Sequence, residues 1–373
     1  MKQGWEIKKI KDICYKESSN IAQNKIVELD GDYPVYGASG FIQNVDFYQR
    51  DTNYIGVVKD GSGVGRVNIY PAFSSLLGTL QYILPKNGFH INYVAYALKS
   101  LNLSKYASGA AIPHIYFKDY GEEVIPVPPP PVQEQIVSEL DLLNGIIEKK
   151  REQLKELDAL AQSIFYDMFG DPITNEKGWE VKKLGEVCKV TSFKRVLIEE
   201  VVETGIPFIR GTELTALSKL PNSRDYPFTL FITKEHYERV KAISGVPTIG
   251  DLLIPSINSE GLIWELDTDE PRYYKDGRVL WVHTNHKYNY SKALKYILSN
   301  KLRMMYNELA SGATFIELKL FVLRDIELPF PPIPLQRQFA TKIEAIEKQK
   351  ELIKQSISET ETLFNARMQE HFG

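Results

Sequence analysis

Two long stretches of the chain place apolar residues at alternating steps of four and three. The first, residues 133–170, contains no proline, and its series is interrupted by one polar residue, Lys150. This spacing predicts a long helix with a narrow apolar stripe, as in a coiled coil. The stripe consists of Ile136, Leu140, Leu143, Ile147, Leu154, Leu157, Ala161, Ile164 and Met168.

The second stretch copies the first at an offset of 331 − 128 = 203 residues, so that PPPPVQEQI at 128–136 returns as PPIPLQRQF at 331–339. Because proline removes a backbone donor and restricts the residue before it, each helix should begin at such a stretch. An apolar stripe needs a partner, and we predict that the two helices pack as an antiparallel coiled coil. The second stripe consists of Phe339, Ile343, Ile346, Ile353, Ile357 and Phe364.

A second repeat lies upstream of the helices. GWEIKKIKDIC at 4–14 returns as GWEVKKLGEVC at 178–188, at an offset of 178 − 4 = 174 and with six identical residues. The offsets differ by 203 − 174 = 29, so the second copy carries about that many extra residues. We therefore predict a tandem duplication in four parts: a first lobe at 1–128, a spacer helix at 129–170, a second lobe at 171–331 and a spacer helix at 332–373.

Both lobes are predicted to be of the α+β class, with mostly antiparallel sheets. Short segments rich in β-branched and aromatic residues alternate with glycine, asparagine and aspartate, which is typical of strands joined by turns. In the first lobe we expect strands at 33–36, 54–58, 66–70, 80–84 and 124–127, and a helix at 91–101. In the second lobe we expect strands near 207–210, 251–255, 261–266 and 279–282, and a helix at about 292–310.

Composition narrows the class of protein further. The 373 residues carry a net charge of −3, and no run approaches the ~20 apolar residues of a membrane span. The N-terminus has no apolar signal region, so we expect a cytoplasmic protein. Cys14 and Cys188 occupy the same repeat position, where a small buried core residue is favoured over a disulfide or a zinc ligand.

In this layout the chain resembles the specificity subunits of type I restriction-modification systems. In that family two target-recognition domains alternate with two long helical spacers, each of which begins in a proline-rich stretch with glutamines. The matching residues here are the starts at 128–136 and 331–339, the GWE-KK openings at 4 and 178, and the Ser-Gly-Ala loops at 108–110 and 311–313. The likeness covers essentially the whole chain, although Arg337 stands where the first spacer has Glu134.

The resemblance implies a subunit that is not itself an enzyme and holds no cofactor. It would read a split, asymmetric site in double-stranded DNA, one half per lobe, while its helices recruit two adenine methyltransferase subunits. S-adenosylmethionine, and ATP with magnesium, would bind only to partner subunits, which can include a translocase/nuclease. A net charge of −3 is unusual for a lone DNA-binding chain, so the partners are expected to supply many phosphate contacts.

Candidate DNA-reading residues in the first lobe lie on glycine-rich turns. The loop KDGSGVGR at 59–66 lacks the Gly-Lys-Ser/Thr ending of a phosphate-binding loop. Its basic ends suit base edges or phosphates, and an ordinary hairpin with solvated ends is an equally good interpretation. For the histidine in the set, a packed structural role is at least as good an interpretation. The candidates are Tyr36, Ser39, Gln43, Asn44, Lys59, Ser62, Arg66 and His114.

The second lobe offers candidates at matching places. The segment 210–213 stands where 36–39 stands in the first lobe, at the offset of 174. A second group follows the predicted strand at 251–255, and a basic pair lies in an early loop. The candidates are Lys194, Arg195, Arg210, Thr212, Ser256 and Asn258, of which the arginine at 210 ranks first.

Catalytic and metal-binding motifs are missing from the sequence. It has no His-Glu-x-x-His and no phosphate-binding loop, and DPIT at 171–174 falls short of the Asp/Asn-Pro-Pro-aromatic motif of an adenine methyltransferase. His283, Asn285 and His286 suit base reading better than zinc, since no third ligand is spaced nearby. Two alternatives to DNA recognition remain: a duplicated coiled-coil scaffold whose lobes bind proteins, and an enzyme with an unrecognised site.

Overall fold

The computed structural model describes residues 4–109, 112–220, 223–258, 260–284, 290–309 and 317–373. The Ser-Gly-Ala loop at 311–313 and Ala110 of its counterpart lie outside these residues. The chain divides into two units, Met1–Arg151 with Gln355–Gly373, and Glu152–Lys354. Each unit contains one lobe and parts of both long helices.

The first unit has the predicted α+β plan. Its predicted strands and its main helix are confirmed to within one residue, and four further strands join them. In chain order the elements are β1 Glu6–Lys9, α1 Ile10–Ile13, β2 Cys14–Ser18, β3 Tyr33–Gly37, β4 Gly40–Val45, β5 Tyr54–Val58, β6 Val67–Tyr70, β7 Ser75–Leu76, β8 Leu80–Pro85, α2 Ile91–Ser100, α3 Phe117–Tyr120, β9 Val124–Val127 and α4 Pro130–Phe169, which continues into the second unit.

The sheets of the first unit are mostly antiparallel. One has the strand order β2-β8-β5-β6, a second has β4-β3-β7, and β1 pairs with β9. Only the β3–β7 pair is parallel among these ladders. Strands β5 and β8 and helix α2 enclose the main core, where Ile55, Ile83 and Leu98 are fully buried.

The second unit repeats the plan with additions. In chain order its elements are β10 Glu180–Lys183, α5 Leu184–Val187, β11 Lys189–Ser192, β12 Ile206–Ile209, α6 Gly211–Leu217, β13 Phe231–Ile232, α7 Lys234–Ser244, β14 Leu252–Pro255, β15 Trp264–Glu265, β16 Tyr273–Tyr274, β17 Val279–His283, α8 Ser291–Leu309, α9 Leu320–Asp325, β18 Glu327–Phe330 and α10 Ile333–Phe372, which ends in the first unit. The strand predicted over 261–266 is limited to two residues, because the ladder with β14 extends over only two residue pairs.

The extra residues of the second lobe lie after β12. In the first lobe, β3 turns directly into β4, whereas in the second lobe β12 is followed by helices α6 and α7. The rest of the repeat is preserved, since β1–α1–β2 corresponds to β10–α5–β11. Cys14 and Cys188 each follow the short helix, and both are buried, which confirms the predicted core role.

The two long helices run antiparallel. In the first unit, Ile136 and Leu140 near the start of α4 share a core with Phe372 at the end of α10. In the second unit, the ring centroid of Phe169 at the end of α4 lies 4.7 Å from that of Phe339 near the start of α10. The start of each helix therefore packs against the end of the other, as predicted.

The apolar stripe of α4 differs from the prediction near its end. Phe165 and Phe169 are buried, whereas Ile164 and Met168 are half-buried against the same core. From Leu157 the inward positions advance in steps of four, because a straight helix has 3.6 residues per turn and drifts from a strict 3.5 repeat. The other stripe residues at the middle and end of the helices, all half-buried, are Leu154, Ile353, Ile357 and Phe364, whereas Leu143, Ile147, Ile343 and Ile346 are buried.

Polar residues in the middle of the stripe are paired across the helices. Lys150 donates a hydrogen bond to the Ser356 hydroxyl, and Lys350 forms an ion pair with Asp158. No helix in the described part of the chain combines the length and the apolar character that crossing a bilayer requires.

Candidate nucleic-acid interface

The glycine-rich loop of the first lobe is the tight hairpin between β5 and β6. Gly61, Gly63 and Gly65 have φ values of 80°, 89° and 86°, a region that favours glycine. The Val58 amide donates to the Arg66 carbonyl at 2.9 Å, and the Gly65 amide donates to the Val58 carbonyl at 2.8 Å. These two backbone hydrogen bonds close the loop, with Ser62 exposed at its tip.

Arg66 ties this hairpin to the β3–β4 turn. Its Nη2 donates to the carbonyl of Ala38 at 2.9 Å and of Ser62 at 3.3 Å, while Nε donates to Gly63 at 3.3 Å. The two turns line an open groove of about 690 Å³, where Ser39 and Ser62 accompany the arginine. Arg66 therefore positions the groove wall, although its side chain is exposed.

His114 has a structural position. Its Nδ1 is hydrogen-bonded to the Asp60 carboxylate, and its ring centroid lies 4.1 Å from that of Tyr116. Lys59 is half-buried, with its Nζ 3.9 Å from the same carboxylate. The backbone amide of Ile115 also donates a hydrogen bond to the backbone carbonyl of Lys59 at 3.0 Å. These contacts join two loops and favour the packed-histidine interpretation.

The polar candidates on β3, β4 and the turn between them fall into two groups, those with a structural contact and those exposed to solvent. Tyr36 packs on Tyr70, with ring centroids 4.9 Å apart. The Gln43 amide donates to the carbonyls of Ile26 and Leu29 and so braces the preceding loop. Asn44 and Ser39, in contrast, are exposed.

In the second lobe, three sequence candidates line one cleft of about 510 Å³. Arg210, Thr212 and Ser256 are brought together there because α6 contacts β14 and the Ser256 amide donates to the Arg278 carbonyl at 3.0 Å. The Ser256 hydroxyl is buried and has no hydrogen-bond partner among the described residues. Lys275 also lines this cleft.

Sequence reasoning missed Lys275, Arg278 and Thr215 in this cleft. A usable signal existed, because KDGR at 275–278 is a turn with a basic residue at each end, like the loop at 59–66. This turn joins β16 to β17. It lies at the carboxyl end of β12, where the Lys275 amide donates a hydrogen bond to the Ile209 carbonyl at 2.9 Å.

A buried carboxylate holds Arg210. The guanidinium Nε donates to Oε1 and Oε2 of Glu213 at 3.1 and 3.0 Å, and Nη2 donates to Oε1. The Arg210 amide and the Thr212 hydroxyl also donate to Oε2, at 3.1 and 3.0 Å. The Arg210 side chain remains 45% exposed, against 10% for Glu213. Burial opposes ionisation of Glu213, but these hydrogen bonds outweigh it and lower the pKa of its carboxyl group.

Asn258 faces inward. Its Oδ1 accepts the Leu262 amide at 3.0 Å and the Glu260 amide at 3.1 Å, while Nδ2 donates to the Leu262 carbonyl at 2.7 Å. The side chain is buried. These contacts brace the loop, and they make Asn258 a weaker candidate for base reading than its sequence position suggested.

The basic pair after β11 is exposed to solvent, unlike the buried Asn258. Lys194 and Arg195 are exposed, and neither forms an ion pair within the described residues. The backbone amide of Lys194 donates to the Tyr273 hydroxyl at 2.9 Å, which fixes the loop while the side chains remain at the surface.

His283 contacts a buried acid. Asp251 accepts hydrogen bonds from Trp281 Nε1 at 3.0 Å and from the Thr284 amide at 3.1 Å, and His283 Nδ1 lies 2.9 Å from its Oδ1. Asn285 and His286 lie outside the described residues. Across the described ranges, no three histidine, cysteine or acidic residues cluster as metal ligands would.

Both halves of the chain match one family. Residues 2–158 and 176–362 match the family described as "Type I restriction modification DNA specificity domain". The duplicated lobes therefore define a DNA-specificity protein. The chain belongs to the type I restriction modification DNA specificity family, as the resemblance implied.

Relatives and a solved structure agree with this assignment. The chain is 26% identical over 251 residues to the type I restriction enzyme MjaIX specificity subunit of Methanocaldococcus jannaschii, covering 56% of this chain and 58% of that protein. It is 22% identical over 378 residues to the MjaVIII specificity subunit of the same organism, covering 92% and 86%. The S subunit from M. genitalium shares the fold, with a TM-score of 0.63 at 16% identity over 99% of this chain and 96% of that chain. The scaffold alternative gains no support.

Proposed function

We propose that the chain is the specificity subunit of a type I restriction-modification complex and reads a bipartite, asymmetric site in double-stranded DNA. The observation that carries this proposal is the tandem match of two specificity domains in one chain. The lobes, proposed at 1–128 and 171–331, differ after β3 and β12, so two unlike half-sites fit two unlike lobes. The helices at 129–170 and 332–373 serve as spacers.

The DNA-contacting residues proposed for each lobe are those whose polar groups face solvent or the clefts. In the first lobe they are Ser39, Asn44, Ser62 and Arg66; in the second lobe they are Lys194, Arg195, Arg210 and Thr212. Basic and amide side chains of this kind contact phosphates and base edges. Gln43, His114 and Asn258 are proposed to support the loops that carry these residues.

Partner recruitment is assigned to the long helices. Leu160 on α4 and Leu363 on α10 are each 47% exposed and occupy equivalent positions, since 363 − 160 = 203. A contiguous exposed apolar surface marks a contact site, and Leu160 lies in one together with Leu157, Leu352 and Ile353. The equivalent leucine on α10 gives the chain two copies of this position, which suits two methyltransferase subunits. Those partners would carry S-adenosylmethionine, and a translocase/nuclease would carry ATP and magnesium. The chain itself would hold no cofactor and act on cytoplasmic DNA.

Long-read mapping of methylated adenines tests the proposal. Cells that carry the gene should show methylation at one two-part motif with a gap, and deletion should abolish it. Reintroducing the gene should restore the same motif. A continuous motif, or an unchanged methylation pattern after deletion, would contradict the proposed function.

A further inference from the structure

We infer that Glu213 is a positioning residue, which holds the Arg210 guanidinium so that its remaining N–H edge reads one base pair of a half-site. The inference rests on the proposed function, because it takes the cleft around Arg210 to contact DNA. The base that a fixed arginine fork recognises is guanine, whose O6 and N7 accept two hydrogen bonds in the major groove.

The clamp removes most of the freedom of the arginine. A long side chain loses rotamer entropy when it binds a target, and an arginine that is already fixed loses less. Nε and Nη2 are directed at the buried carboxylate, and Nη1 donates no hydrogen bond within the described residues. The half-exposed end of the fork is therefore available to a ligand in the cleft.

The charge of the pair separates base reading from phosphate binding. Glu213 neutralises Arg210, so the pair attracts a phosphate weakly, while the directional N–H donors persist. Arg278 in the same cleft has a similar arrangement, since its Nη1 donates to Glu317 at 3.1 Å. Lys275 lines the cleft without an ion pair in the described part of the chain. We assign Lys275 to a phosphate and Arg210 to a base.

The experiment compares Arg210→Ala, Glu213→Gln and the double variant in the full chain, co-expressed with its methyltransferase subunits. The substrate is a pool of duplexes in which each base pair of both half-sites is substituted singly. Both single variants should lose about 5- to 150-fold of discrimination, at the same base pair and in one half-site only. The double variant should be no worse than Arg210→Ala, because the two residues act as one unit.

Two controls separate positioning from folding. Glutamine at 213 can still accept the Arg210 amide, so the start of α6 remains capped. Glu186→Gln changes the matching acid of α5, which accepts the Lys183 amide at 3.2 Å without holding an arginine, and should leave discrimination unchanged. Melting temperatures are recorded for every variant.

The salt dependence of binding separates a phosphate contact from a base contact. Lys275→Ala should reduce the slope of log affinity against log salt concentration by about 0.9, whereas Arg210→Ala should leave the slope unchanged.

Each remaining outcome overturns the inference in a distinct way. If Glu213→Gln keeps full discrimination, the positioning role of Glu213 is refuted, while base reading by Arg210 and the proposed function are not. A uniform loss over all duplexes, with a lower melting temperature, would make Glu213 a structural cap. A uniform loss and a smaller salt slope in Arg210→Ala would identify a phosphate contact. A wild-type complex without sequence preference would refute the proposed function as well.

Discussion

Replacing Phe339 by alanine should strongly destabilise the second unit. The ring is fully buried, and its centroid lies 4.7 Å from that of Phe169, 5.2 Å from Tyr296 and 6.0 Å from Phe165. Truncating a buried phenylalanine costs about 3–5 kcal/mol, through lost burial and the cavity left behind. For a unit of about 200 residues each kcal/mol lowers Tm by about 2–4 °C, so we expect a decrease of about 6–20 °C.

Tryptophan fluorescence provides a selective assay for this change. Trp179, Trp264 and Trp281 lie in the second unit, and Trp5 lies in the first, so the signal reports mainly on the second unit. The control is Leu352→Ala on the same helix, where the side chain is 58% exposed and the expected change is within about 0.5 kcal/mol. Equal effects of the two substitutions would refute the packing of Phe339 between the helices and the lobe.

Three further predictions concern a buried acid, a thiol and the helix surface. Asp251→Asn should cost roughly 2–3 kcal/mol in urea unfolding, because one oxygen that accepts hydrogen bonds becomes a donor facing donors such as Trp281 Nε1; no loss would mean that this network is unimportant. Burial raises the pKa of Cys14 to about 12, so iodoacetamide at pH 8 should label it only after unfolding, and rapid labelling of the native chain in mass spectrometry would contradict its burial. Leu160→Asp and Leu363→Asp should each weaken methyltransferase binding about tenfold in sedimentation titrations without lowering Tm, and unchanged binding would count against a role of these leucines in recruitment.

Local pattern was sufficient to predict much of the fold. The apolar steps of three and four located α4 and α10, because this spacing places the apolar residues on one face of a helix. That face is buried only when a partner helix covers it. The GWE-KK repeat located β1–α1–β2 and β10–α5–β11, and the cysteines that follow each short helix are buried as expected. These features depend on near neighbours in the chain, which sequence spacing describes directly.

The candidate site depended on contacts between distant residues. Arg210 was predicted from its position after a strand, but its carboxylate clamp required α6, a helix that the sequence pattern did not reveal. The sequence favoured Asn258 as a base-reading residue and left His114 open between base reading and packing, yet both side chains turn out to support loops, Asn258 through Leu262 and His114 through Asp60. A polar side chain that is buried must find a hydrogen-bond partner, and which partner it finds depends on how distant segments pack.

The sequence by itself therefore determined the duplication, the two long helices, the class of the lobes and the family they belong to. Tertiary structure decided which side chains are exposed in the clefts, because it brings Lys275 and Arg278 beside Arg210 and directs Asn258 inward. The physical reason is that helical periodicity and strand patterns reflect local burial, whereas a binding surface is assembled from turns whose proximity is set by long-range strand pairing.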